Sequence, residues 1–207
     1  MQKFLEVPFQ RWFKLYGGLI CYGVGITFMK QSFLGLPPWE VLHDGLAKII
    51  NVEIGTVSIF MGLFILLLWI PMREKPGIGT ISNMLIVGNI TNLTLPLVPV
   101  TSEIVLRTVW LVLGLLMIGL ATALYLSSRM GAGPRDGLMM AFHRRTGRSI
   151  RLVRTIIEVS VLVIGILLGG TIGIGTLAFA LTIGPIVQFM FWLIGDHEMA
   201  ASRKKTA

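Results

Sequence analysis

Few residues in this chain could do chemistry, and they fall in a pattern. Two segments read Gly35-Leu-Pro-Pro38-Trp39-Glu40 and Gly131-Ala-Gly-Pro134-Arg135-Asp136. In each, Pro follows Gly by three positions and an acid follows Pro by two. Glycine allows a sharp reversal, proline suits the first position of a helix, and an acid in the first turn is favoured by the helix dipole. Each segment should open a short amphipathic helix, over 38–50 and 134–146. Two such N termini beside Arg135 would present free N–H groups and a guanidinium to an anionic solute. Pro38, Trp39, Glu40, Pro134, Arg135 and Asp136 are therefore candidate solute-binding residues. The plainer reading makes them interfacial helices, with Glu40 and Asp136 as caps.

Three other polar residues join the list. Glu158 follows Arg154 by four positions within an apolar run, so the two share a helical face and either form a structural pair or relay a proton or cation. Asn83 and Asn89 sit in another apolar run, with Thr91, Asn92 and Thr94 close by. They could contact a polar solute or bond one helix to the next, at roughly 0.6 kcal/mol each. His43, His143 and His197 lack metal-ligand spacing and are expected at the interface. Cys21 is alone, which excludes an intrachain disulfide and a Cys-based zinc site. No nucleophilic triad, zincin motif or phosphate loop occurs. The expectation is a protein that is not an enzyme, with no metal and no cofactor.

The elements that must hold these residues are set by composition. Of 207 residues, 54% are apolar and 14% charged, with mean hydropathy +0.80; soluble chains carry about 25% charged residues. A spanning helix needs about 20 apolar residues. Six stretches qualify: 13–34, 55–72, 79–99, 105–127, 151–170 and 173–195. With the N terminus cytoplasmic, 15 of the 18 Lys and Arg residues fall on the cytoplasmic side, leaving Lys30, Lys48 and Arg107 outside. Both termini are then cytoplasmic. The net charge of +8 belongs to orientation and to anionic lipid headgroups, and no aromatic-basic platform for nucleic acid accompanies it. The chain divides into an interfacial segment 1–12, in which Phe4, Leu5, Val7, Phe9 and Trp12 would lie at the inner surface, two three-helix units over 13–99 and 105–195, and a basic tail 196–207. A homodimer is compatible with six spans.

Sliding the chain by 96 positions brings the two units into register. Gly18 falls on Gly114, Gly35 on Gly131, Pro38 on Pro134, and Gly77-Ile-Gly79-Thr80 on Gly173-Ile-Gly175-Thr176. Three spans per unit is an odd number, so the units would enter the membrane from opposite faces, as in many secondary transporters. The expected fold is all-α and polytopic, with two inverted repeats that each carry one short amphipathic or re-entrant helix. Gly77, Gly79, Gly173 and Gly175 sit at tight turns between spans, where bare backbone either packs helices closely or lines a gate.

The Pro-Trp-acid-x-Leu-His segment (38–43), the Gly-Ala-Gly-Pro-Arg-Asp-Gly segment (131–137) and Gly-Gly-Thr-Ile-Gly-Ile-Gly-Thr (169–176) together resemble the YczE-like bacterial integral membrane proteins, related to the YitT-like group. The likeness spans nearly the whole chain. It implies a multi-pass protein of the bacterial inner membrane and brings no substrate with it. That family usually has Asp at the position of Glu40, which keeps the charge on a shorter arm.

Two function classes follow. One is a small secondary transporter of a polar or anionic solute. The other is a non-transporting accessory or scaffold protein that supports another membrane-associated system.

Overall fold

The computed structural model describes residues 8–202, and among these the ordered segments are helical, with no strand. Its helices are α1 (Phe9–Ser32), α2 (Pro38–Ile50), α3 (Ile54–Met72), α4 (Ile78–Thr94), α5 (Ile104–Ser127), α6 (Pro134–Thr146), α7 (Ile150–Leu167), α8 (Ile174–Leu193) and α9 (His197–Ser202). Three of them, α3, α5 and α8, are long and apolar enough to cross a membrane by length and composition. Phe60, Phe64 and Leu67 on α3, Ile156 and Val163 on α7, and Leu177 and Leu181 on α8 are exposed. Apolar surface of that extent fits a protein whose outer solvent is lipid.

The short helices form at the expected bounds. Pro38 and Pro134 each occupy the first turn, and left-handed residues, Asn51 and Gly147, end them. Some expected boundaries move. The 79–99 stretch is helical only to Thr94, because Pro96 cannot donate to the helix, and the chain tightens into a 3-10 turn over Leu95–Leu97. Helix α1 starts at Phe9, four residues ahead of the expected span start at 13, and within it Trp12 stacks on Tyr16 at 5.9 Å. Phe4, Leu5, Val7, Arg203, Lys204 and Lys205 lie outside the described residues.

Helices α1 and α5 form the centre and run antiparallel. Gly18 meets Tyr125, Gly25 meets Ile118, and Met29 meets Gly114. A Cβ on Gly18 would stand 2.8 Å from the Tyr125 nitrogen, so the small residue sets how closely the helices approach. Helix α4 packs on α1 where Gly23 meets Ile90, and α8 packs on α5 where Gly119 meets Ile186. These two contacts are the same contact displaced by 96 positions.

The reversals that lead into α2 and α6 match in the same way. Phe33 and Arg129 both have φ of 53°, and Gly35 and Gly131 have φ of 123° and 125°. Only glycine adopts the latter values readily. Gly175 N donates to Leu34 O at 2.7 Å, and Gly79 N donates to Met130 O at 2.8 Å. Each GIGT turn is thereby bonded to the reversal in the other half of the chain. This is close backbone packing, and it needs the bare Gly77, Gly79, Gly173 and Gly175.

The two halves are fastened differently. The Asp44 carboxylate on α2 is buried and accepts from Lys30 Nζ, from Lys48 Nζ at 2.9 Å, and from Thr171 N and Oγ1 at 2.8 and 2.6 Å. It ties α1, α2 and the α7–α8 turn together. The positions 96 further on from Lys30 and Asp44 hold Leu126 and Met140, so the Asp44 cluster has no counterpart at the equivalent positions of the other half. There, Arg144 on α6 pairs with Glu74 of the α3–α4 turn.

Candidate functional site

The first turns of α2 and α6 meet. Glu40 Oε1 accepts from Arg135 Nη1 at 2.8 Å, and Glu40 Oε2 accepts from His43 Nδ1–H at 2.8 Å. The Arg135 guanidinium lies 5.1 Å from the centre of the Trp39 ring, within cation–π range. Glu40 and His43 are almost fully buried. An ion pair in that setting persists only when its geometry is good and its remaining groups are bonded. His43 Nε2 has no partner among the described residues. The expectation that His43 sits at an interface is thus corrected: at i+3 from Glu40 it turns inward to meet the carboxylate.

Asp136, on α6 beside Arg135, accepts from the Tyr125 hydroxyl of α5. Tyr22 of α1 meets Tyr125 edge-on at 6.5 Å. Trp69 of α3 donates from Nε1 to Pro134 O at 3.2 Å and packs against Gly137, which anchors α6. Arg154 Nε donates to Glu158 Oε1 at 2.8 Å, so the two residues meet on one helical face as their spacing requires.

Two cavities adjoin this cluster. The larger, about 140 Å³, is lined by Tyr22, Asn83, Tyr125, Pro134, Arg135, Asp136, Arg154 and Phe179, among others. The smaller, about 90 Å³, is lined by Pro38, Trp39, Glu158 and Met139, and shares Tyr22, Arg135, Asp136, Arg154 and Phe179 with the first. Of the nine expected solute-binding residues, seven line one or both cavities. Glu40 lies behind Arg135 and holds it. Asn89 is on an exposed face of α4, with its amide donating to Leu85 O in its own helix, so it is removed from the site. Its neighbour Asn92 makes the interhelical bonds instead, accepting from Gly55 N and donating to Thr56 Oγ1.

Tyr22, Tyr125 and Phe179 escaped notice in the sequence. A signal existed for the tyrosines. The chain has three, and Tyr22 and Tyr125 lie well inside apolar runs, where a phenol needs a partner for its hydroxyl. Arg135 also differs from expectation, since its guanidinium already faces a carboxylate.

Comparison with known proteins adds a family. The chain is 38% identical to an uncharacterized protein of Haemophilus influenzae over 172 residues, 83% of this chain and 79% of that one. It is 32% identical to the uncharacterized membrane protein YczE of Bacillus subtilis over 182 residues, 86% and 84% of the two chains. It is 29% identical to the uncharacterized protein YyaS of the same organism over 194 residues, 91% and 96% of the two. No solved structure matches. The DUF6198 model, described as a family of unknown function, matches residues 9–191. Apolar helices long enough to cross a bilayer and this match along most of the chain make it a membrane protein of the YczE-like DUF6198 family.

Proposed function

We propose that the protein is a small secondary transporter of a polar solute. It is built from six transmembrane helices (α1, α3, α4, α5, α7 and α8) as two inverted three-helix repeats, with α2 and α6 as re-entrant half-helices. It resides in the bacterial inner membrane with both termini cytoplasmic, and its basic inner face engages anionic headgroups. The observation that carries this reading is the Glu40–Arg135 pair, which joins the first turns of two short helices at the wall of polar cavities. Half-helix N termini meeting at a polar site are the arrangement that alternating-access carriers use. Tyr22, about midway along α1, lines both cavities, which accords with a site near mid-membrane. The contacts and hydrogen bonds duplicated at an offset of 96 support the repeat.

The test is uptake into proteoliposomes, preceded by a thermal-stabilisation screen of small polar solutes. A ligand at 100-fold above its Kd adds about 2.7 kcal/mol of stability. Stabilising solutes should be taken up, and the double variant Glu40→Leu with Arg135→Met, which removes both charges of the pair together, should abolish uptake while leaving the protein folded. Purified, folded protein that binds and moves no solute would favour an accessory role.

A further inference from the structure

We propose that the larger cavity is a binding site for a small primary ammonium group, held by Asp136 and the rings of Tyr22, Tyr125 and Phe179. This names the solute class for the carrier proposed above and rests on that reading for its physiological meaning, although binding itself does not.

The charges decide the sign. The cluster holds two guanidiniums and three carboxylates. Arg135 faces Glu40 and Arg154 faces Glu158, each at 2.8 Å. Asp136 is the remaining acid. Oδ2 takes the Tyr125 hydroxyl, a neutral donor, and Oδ1 has no hydrogen-bond partner among the described residues. The N termini of α2 and α6 each add about half a positive charge. Glu40 and Glu158 face the two guanidiniums from outside the lining of the larger cavity, and with these carboxylates and both helix ends counted the cluster reaches neutrality at most, so it has no surplus positive charge to hold an anion. It does have a carboxylate oxygen in want of a donor, on the wall of both cavities.

The remaining wall suits the same guest. Tyr22, Tyr125 and Phe179 border the larger cavity, and aromatic faces attract cations most strongly where water is excluded. About 140 Å³ is close to the roughly 150 Å³ that accommodates a benzene-sized molecule. The guest is therefore an amine of a few carbon atoms. A simple alkylamine and a small amino acid both offer this ammonium. The second would also place its carboxylate toward guanidinium N–H groups that Glu40 and Glu158 leave free.

Isothermal titration of the full-length protein in nanodiscs, in chloride buffer, tests the idea with ethylammonium, glycine and acetate. Ethylammonium should bind and acetate should not. Asp136→Asn should weaken ethylammonium at least tenfold, and Tyr22→Leu, which keeps the carboxylate, should weaken it severalfold. Glycine binding tighter than ethylammonium, and lost in Asp136→Asn, supports the site and selects the amino acid as its source. Binding of acetate without ethylammonium, or unchanged ethylammonium affinity in both variants, overturns the proposal. Titration reads binding without transport: ammonium binding with no uptake leaves this site standing and removes the carrier, whereas uptake of anions does the reverse.

Discussion

Trp39 and Arg135 occupy equivalent positions 96 residues apart, and the guanidinium of one lies 5.1 Å from the ring centre of the other. Equivalent residues of two related units can touch only near the axis that relates them. The pair therefore marks where that axis passes if the units are repeats, and the Glu40 carboxylate sits beside it.

Breaking this centre should be costly. Glu40→Ala leaves Arg135 facing a buried space without its counter-charge, and loss of one member of a buried pair costs about 3–5 kcal/mol. Removing both charges with Glu40→Leu and Arg135→Met should recover much of that. Thermal unfolding in detergent of the single and double variants checks it; additive losses would show that the two residues do not act as a pair.

The reversals should be intolerant of a side chain. At Gly35 and Gly131 the backbone has φ near +124°, and a Cβ would stand 2.7 Å from Gly173 N or 3.0 Å from Thr80 Oγ1. Gly35→Ala should lower stability by more than about 1 kcal/mol, and Gly131→Ala by somewhat less. Equal melting temperatures to the parent would remove the strain argument.

Asp44→Asn should loosen one face selectively. It takes the charge from a carboxylate that gathers Lys30, Lys48 and Thr171. A cysteine at the buried Leu36 should then react faster with a membrane-impermeant maleimide added outside, in a Cys21→Ser background. Labelling no faster than in the Asp44 parent would show that other contacts hold that face closed.

The two asparagines of α4 should separate. Asn92→Ala removes bonds to Gly55 and Thr56 and should cost about 1 kcal/mol, while Asn89→Ala should cost nothing measurable. Chemical unfolding of each variant is sufficient.

Orientation has its own check. Cysteines at Lys48 and Arg148, near the C termini of α2 and α6, should label from opposite sides of intact spheroplasts. Labelling from one side would overturn the inverted arrangement.

Much of this architecture was legible because backbone chemistry leaves local marks. Pro38 and Pro134 announce helix starts, and the offset of 96 announces the duplicated turns. The site was legible only in part. Arg135 and Asp136 stand in a recognisable motif, but nothing near residue 135 says that Glu40 will neutralise it, since that contact depends on how the two halves meet. Asn89 and Asn92 are three residues apart, and periodicity alone gives no facing; Gly55, across the helix boundary, decides it. Tyr125 reads as one more apolar residue until Asp136 arrives beside it.

The twice-made hydrogen bond between a GIGT turn and the opposite reversal has a consequence for biogenesis. While the ribosome is still making the C-terminal half, the Leu34 carbonyl and the Gly79 amide have no partners, because Gly175 and Met130 supply them. Neither half is self-sufficient, and maturation waits on the start of α8. Fragments split between Leu97 and Glu103 should each be degraded when made singly and persist when made together.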